Sequence, residues 1–189
     1  AIEQELELLE KRKIAASALI IRSAKPRIFL AGADLNELIQ NREGNLEAMI
    51  ERGQRIFERI SALPFPCVAL IDGACLGGGY ELALACDYRV ASNLKTTKIG
   101  LPEIQLGLLP AWGGSTRLPR LIGIPKALKV ILSGKAFSSR KALALGMIDG
   151  VVHPENLESE ADEWLALGKR NPLNKVGLMQ RVIGKFAAF

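Results

Sequence analysis

Aromatic side chains make up only 5% of this 189-residue sequence, and it holds one histidine and three cysteines. No apolar run is long enough to span a membrane, and no fixed-period repeat or low-complexity segment is visible. Each scarcity removes a class of function. A single histidine, His153, set directly before Pro154, leaves little support for a Ser–His–Asp arrangement. The ligands a zinc site needs are missing. Cys67, Cys75 and Cys86 form no CxxC pair and lie in apolar stretches. They read as small buried hydrophobes of a reducing compartment, and their odd count argues against a secreted disulfide scaffold. Basic residues are not interleaved with aromatics as a nucleic-acid stacking surface requires. Arg52, Arg55 and Arg59 share a helix face, but Glu51 and Glu58 flank them, which suits a solvated face.

What is present is aliphatic. Hydrophobic residues reach 49% and charged residues 24%, so one domain with a core of Leu, Ile, Val and Ala is expected. The net charge of +5 suits a small anionic ligand as well as it suits a few surplus surface lysines. The bulk properties fit a soluble protein of the cytoplasm or of an organelle matrix such as that of mitochondria.

Along the chain, Ile2, Leu6 and Leu9 mark a helical face, and Ala18 to Arg22 reads as a buried strand. Asp34 followed by Glu37 resembles a capping box, so a helix should begin at Asp34. Leu46 to Leu63 carries a longer helical period with Met49, Ile50, Ile56, Phe57 and Ile60 inward, closed by Pro64 and Pro66. Cys67 to Ile71 and Tyr88 to Ala91 read as strands, with a buried helix running to Ala85 between them. Ser138 is a candidate N-cap among the later helices. From Pro154 onward the pattern is helical. Strand–helix alternation followed by helices predicts an α/β core, residues 1–152, with a helical C-terminal region, 153–189.

Gly77-Gly78-Gly79 is the sharpest local signal. Glycines opening a helix let a ligand approach backbone N–H donors at the positive end of the dipole. A tight, close-packed turn explains the run equally well. Glu81 lies in the first turn of that helix, where the dipole alone favours a carboxylate. Glu103, in Leu-Pro-Glu just after a strand, has the look of an ordinary solvated loop residue. Two carboxylates near a glycine-lined anion site suggest more than either does alone, although spacing does not show that they meet.

Three segments resemble the crotonase (enoyl-CoA hydratase/isomerase) superfamily. Phe29-Leu-Ala-Gly-Ala-Asp-Leu35 looks like its first oxyanion-hole motif, and Gly73 to Ala91, with Gly-Gly-Gly-Tyr-Glu inside it, looks like its second. Ile99-Gly-Leu-Pro-Glu to Pro110, followed by Gly113-Gly114 and Arg117-Leu-Pro-Arg-Leu-Ile-Gly123, looks like its third. Their occurrence in this order is specific. The wording of Ser23 to Pro26 and of the stretch from Asn171 to Lys185 is closest to the hydratase part of multifunctional fatty-acid oxidation α-subunits.

The resemblance implies a spiral of ββα repeats with C-terminal helices, from which the N-terminal part of the family's core is missing. It implies an enoyl-CoA hydratase that adds water to 2-trans-enoyl-CoA in fatty-acid β-oxidation, with a secondary isomerase activity. The alternatives are a Δ3,Δ2-enoyl-CoA isomerase, another acyl-CoA enzyme of this fold, or an AU-rich RNA-binding relative. Two family glutamates, carried onto Glu81 and Glu103, favour the hydratase, since the isomerases commonly keep only the second. The backbone N–H groups of Ala33 and Gly78 would form the oxyanion hole. Ala31, Asp34, Leu35, Gly77, Gly79, Pro110 and Gly113 would contact substrate. No metal and no cofactor is implied, because coenzyme A is part of the substrate. A homo-oligomer (trimer or dimer of trimers) or a place in a fatty-acid oxidation complex is implied, with neither membrane insertion nor nucleic acid.

The chain departs from the family in three places. Asn36 stands where a CoA-binding lysine is common, and Ala111-Trp112 and Ser115-Thr116 replace the usual residues of the third motif.

Overall fold

The computed structural model describes residues 2–12, 16–31 and 46–170. Its helices are α1 (Ile2–Arg12), α2 (Leu46–Ser61), α3 (Gly78–Ala85), α4 (Gly114–Ile122), α5 (Ile124–Ser133), α6 (Ser139–Leu145) and α7 (Leu157–Leu165). Its strands are β1 (Leu19–Arg22), β2 (Ile28–Ala31), β3 (Cys67–Ile71), β4 (Ala74–Leu76), β5 (Tyr88–Ser92), β6 (Lys98–Gly100), β7 (Ala136–Ser138) and β8 (Gly150–Val152). The helix expected from Asp34 lies outside the described residues.

Strands β1 to β6 are dealt alternately into two sheets, after which β7 joins β6 and β8 joins β5. One has the order β1-β3-β5-β8 and is parallel throughout, and the other has the order β2-β4-β6-β7 with only the last pair antiparallel. Each of the first three ββ pairs therefore gives one strand to each sheet. That is the repeat the resemblance implied.

Strand β3 shows why the run Cys-Val-Ala-Leu-Ile is unbroken by polar residues. All five side chains are buried, and alternate ones enter different cores. Cys67, Ala69 and Ile71 join the larger core with Phe57, Ile60, Tyr80 and Leu118, whereas Val68 and Leu70 join Tyr88, Val90, Leu157, Ala161 and Trp164. Helix α7 thus packs on the outer face of β3 and β5, and Trp164 meets Tyr88 with ring centroids 5.4 Å apart. β1 is at the sheet edge and only half buried, with Ile20 exposed. The run Ala18-Leu-Ile-Ile21 predicts a buried strand, but four apolar residues look alike at an edge and in a centre.

Polar groups lock the same layer. Arg89, 2% exposed, donates through Nη2 to Asp149 at 2.6 Å and through Nη1 to the Cys86 carbonyl at 2.8 Å. Asp87 accepts from the Cys67 N–H at 2.9 Å and pairs with Lys169 at 3.2 Å. Arg170 binds Asp149 and lies 4.8 Å above the Tyr88 ring. Buried charges of this kind need opposite partners. Here those partners fasten Lys169 and Arg170 to the sheet. Ser138 caps α6 as expected, its side chain accepting from the Lys141 N–H.

Candidate active site

Three glycines join β4 to α3, and each is required for a different reason. Gly77 adopts φ 56 and ψ −127, a combination glycine tolerates best. Its N–H donates to the Gly100 carbonyl of β6, and its carbonyl accepts from the Tyr80 and Glu81 N–H groups. A Cβ on Gly79 would overlap the Leu30 carbonyl of β2, so close packing alone accounts for this glycine. A Cβ on Gly78 would overlap the indole of Trp112. As the first residue of α3, Gly78 carries an N–H with no acceptor inside the helix.

One turn later comes Glu81, which is 2% exposed. Its Oε1 accepts from the backbone N–H groups of Trp112 and Gly114, both at 2.8 Å. These donors sit on the loop after Pro110, itself buried, and at the start of α4. Gly113 turns the loop with φ 114. Arg117 of α4 then pins it: Nη1 donates to the Trp112 carbonyl at 3.1 Å, while Nη2 donates to Glu58 at 3.1 Å and Ser61 at 3.3 Å. The Gln54 amide adds a 2.8 Å bond to the Ala111 carbonyl. A Cβ on Gly114 would lie 3.0 Å from Glu81 Oε1 and 2.9 Å from Pro110 Cβ. The loop and the carboxylate are fitted to each other.

Glu103 opens a 3-10 turn, Glu103–Leu106, directly after β6. It is not the solvated loop carboxylate that its sequence context suggested. Both of its carboxyl oxygens are buried, and neither has a partner among the described residues. Burial raises its pKa. Burial also pushes Glu81 up, with the nearby Glu103 charge adding to the rise and the Gly114 and Trp112 N–H groups opposing it, to about 7 in all. Glu81 therefore feels the charge of Glu103, which sequence spacing could not show.

Ala31 ends β2 in an exposed position, beside α3 through the Leu30 contact. Ala33, Asp34 and Leu35 lie outside the described residues. Arg117 and the N–H groups of Trp112 and Gly114 were missed as parts of the site. The only sequence signal for them was the Gly-Gly pair placed before Arg117. Among the described residues no group of three His, Cys, Asp or Glu side chains is placed to hold a metal.

A model of the enoyl-CoA hydratase/isomerase family matches residues 2–183. Among curated proteins, the fatty acid oxidation complex subunit alpha of Aliivibrio fischeri is 48% identical over 170 residues, which cover 89% of this chain and 25% of that one. The same subunit of Vibrio vulnificus is 46% identical over 166 residues, covering 87% and 24%. The chain spans about a quarter of the length of these relatives. Among solved structures, an enoyl-CoA hydratase from Bacillus anthracis superposes with a TM-score of 0.80 at 35% identity, over 87% of this chain and 64% of the other. Fold, motif order and overall similarity agree: the chain belongs to the enoyl-CoA hydratase/isomerase family.

Proposed function

We propose that this chain is an enoyl-CoA hydratase that adds water in the syn sense to 2-trans-enoyl-CoA, giving 3-hydroxyacyl-CoA in fatty-acid β-oxidation. The observation that carries the reading is the contrast within one buried carboxylate pair. Glu81 is oriented by two backbone donors on one oxygen, while Glu103 presents two buried oxygens without partners. Unpaired buried carboxyl oxygens are costly unless a bound group satisfies them. A water molecule held between the two glutamates, with the substrate closing over it, supplies that group.

In the reaction the water oxygen bonds to the β-carbon as Glu81 takes one of its protons. The electron pair of the double bond moves through the α-carbon to the thioester oxygen, forming an enolate. The Gly78 N–H stabilises that oxygen at the positive end of α3, with Ala33 as the second donor by resemblance to the family. Losing one such donor typically costs about 3 kcal/mol. Glu103 then gives its proton to the α-carbon, so the pair starts and ends with one proton between them. Ala31, Asp34, Leu35, Gly77, Gly79, Pro110 and Gly113 belong to the substrate-facing set by resemblance. No cofactor is assigned, since coenzyme A enters as part of the substrate.

The similarity to complex α-subunits supports a place as the hydratase part of a larger polypeptide, in a fatty-acid oxidation complex or a homo-oligomer. No described helix is long and apolar enough to cross a membrane. A bacterial cytoplasm or a mitochondrial matrix suits such a protein. The purified protein is expected to hydrate crotonyl-CoA, read as loss of the conjugated thioester absorbance. Isomerisation of 3-enoyl-CoA without any hydration would overturn the assignment in favour of an isomerase.

A further inference from the structure

Each N–H group that orients Glu81 belongs to a peptide unit whose carbonyl, on the opposite side, is also held. The Trp112 N–H shares a planar unit with the Ala111 carbonyl, which accepts from the Gln54 amide of α2 at 2.8 Å. The Gly114 N–H shares one with the Gly113 carbonyl, which accepts from the Arg117 backbone N–H at 2.7 Å. Between them lies the Trp112 carbonyl, which accepts from Arg117 Nη1 at 3.1 Å. Three consecutive carbonyls are therefore clasped. Because a peptide unit is flat, fixing its carbonyl fixes where its N–H points. Hydrogen bonds in such chains also polarise one another, which strengthens their pull on the carboxylate.

The Arg117 side chain spans two elements. Nη1 enters the loop where Gly113 leaves room, since a Cβ there would overlap it. Nη2 reaches back to Glu58 and Ser61, at 3.1 and 3.3 Å. Gln54, Glu58 and Ser61 all stand on α2, so that helix is the base against which the loop is held. The side chain is 16% exposed, and water screens its charge only in part. Burial is the largest influence on Glu81 and raises its pKa, while the Arg117 charge opposes it. Among the described residues, Glu103 and Arg117 are the charges acting on Glu81, and Glu58, Glu81 and Arg120 are those acting on Arg117.

We infer that Arg117 is a positioning residue for the base of the reaction, its guanidinium tying α2 to the loop so that the Trp112 and Gly114 N–H groups converge on Glu81, with Gln54 holding the same loop at its other end. The inference rests on the hydratase reading for the role of Glu81 as base.

The test compares hydration of crotonyl-CoA by the unaltered protein, Arg117→Met, Arg117→Lys and Gln54→Leu. In Arg117→Met, kcat is expected to fall roughly tenfold or more while KM stays within about twofold. Loss of the clasp and loss of the charge both disfavour ionised Glu81, so the upper limb of kcat/KM moves to higher pH. Arg117→Lys keeps the cation, but an ammonium cannot span both sides as the planar fork does. It should lose kcat with a smaller movement of the limb, and Gln54→Leu should show the smallest change in both. A merely structural role would reduce the amount of folded protein and leave KM and the limb in place, and that result overturns the inference. Should Arg117→Met fail to fold, unchanged kcat and an unmoved limb in the two milder variants overturn it equally. If no protein hydrates crotonyl-CoA, the hydratase reading fails, and carbon-13 NMR titration of the glutamate carboxyls decides alone. A Glu81 midpoint that rises in Arg117→Lys and Gln54→Leu upholds the clasp, and an unmoved midpoint overturns it.

Discussion

Glu81 and Glu103 face the same reaction from opposite kinds of surroundings. The Glu81 side is rigid: a helix start, a loop with two converging N–H donors, and Arg117 bracing that loop from behind. The Glu103 side is a single 3-10 turn closed by Gly107, and only the residue's own backbone N–H opposes the effect of burial on its carboxyl. A base that must orient one water gains from fixed geometry. An acid that must give up its proton and later recover it gains from having no converging pair of donors that stabilises its charged form. The difference in surroundings divides the labour between two identical side chains.

The largest expected effects come from removing either carboxylate. Glu81→Gln and Glu103→Gln should each lower kcat for hydration of crotonyl-CoA by about 10²–10⁴-fold while binding of the CoA ester persists. Full activity in either variant would mean that the pair is not one device. A subtler change separates the two sides. Gly114→Ala puts a methyl group 3.0 Å from Glu81 Oε1 and should cost roughly 10–10²-fold in kcat through displacement of the base. Gly107→Ala meets no neighbour within 4 Å, but its φ of 72 strains any other residue. It should therefore lower the melting temperature and leave kcat nearly as it was. Equal losses of kcat in both variants would erase the contrast.

The pH profile sharpens the comparison next. Only the singly protonated pair has both a base and an acid, so kcat/KM should follow a bell. Its upper limb is expected near pH 7, where Glu81 is placed, and its lower limb above 4.5, the ordinary glutamate value from which burial raises Glu103. The smallest effect is on stability. Glu81 has its folded-state pKa raised, so its contribution is intact at pH below about 4.5 and falls away as the pH climbs through about 7. Glu81→Gln keeps a carbonyl for both N–H donors and never ionises. It should match the unaltered protein at pH 4.5 and exceed it at pH 8 by on the order of 3 kcal/mol at most, followed by chemical denaturation. Glu103→Gln, less buried, should gain less.

Much of this division was legible in the sequence, and the reasons it stopped short are physical. The runs at Cys67–Ile71 and Tyr88–Ser92 announce themselves because both faces of a central parallel strand are buried. The amphipathic period of α2 does the same for a helix. Strands β4, β7 and β8 have three residues each, too few for any period, and exist because neighbouring strands pair with them. The glycines and glutamates of the site stood out, but their meaning came from contacts. Nothing in the wording around Trp112 and Gly114 says that their N–H groups converge on Glu81. Likewise Leu-Pro-Glu does not say that its carboxylate will be enclosed. The motif resemblance supplied those roles before any geometry did.

Because the first six strands alternate between two sheets, partners in each ladder lie far apart along the chain as it folds. Among the described strands only β6 and β7 are both consecutive in sequence and paired, and the whole stretch from Leu101 to Lys135 lies between them. Leu19 must find Cys67, and Val90 must find Gly150. No hairpin can form first and serve as a seed, so every ladder waits on the closure of a long loop. Helices form early and strand pairing comes late. During that wait the half-exposed edges, Ile20 on β1 and Ile28 on β2, are open to strands of other chains. Refolding yield should therefore fall with protein concentration well before native stability becomes limiting.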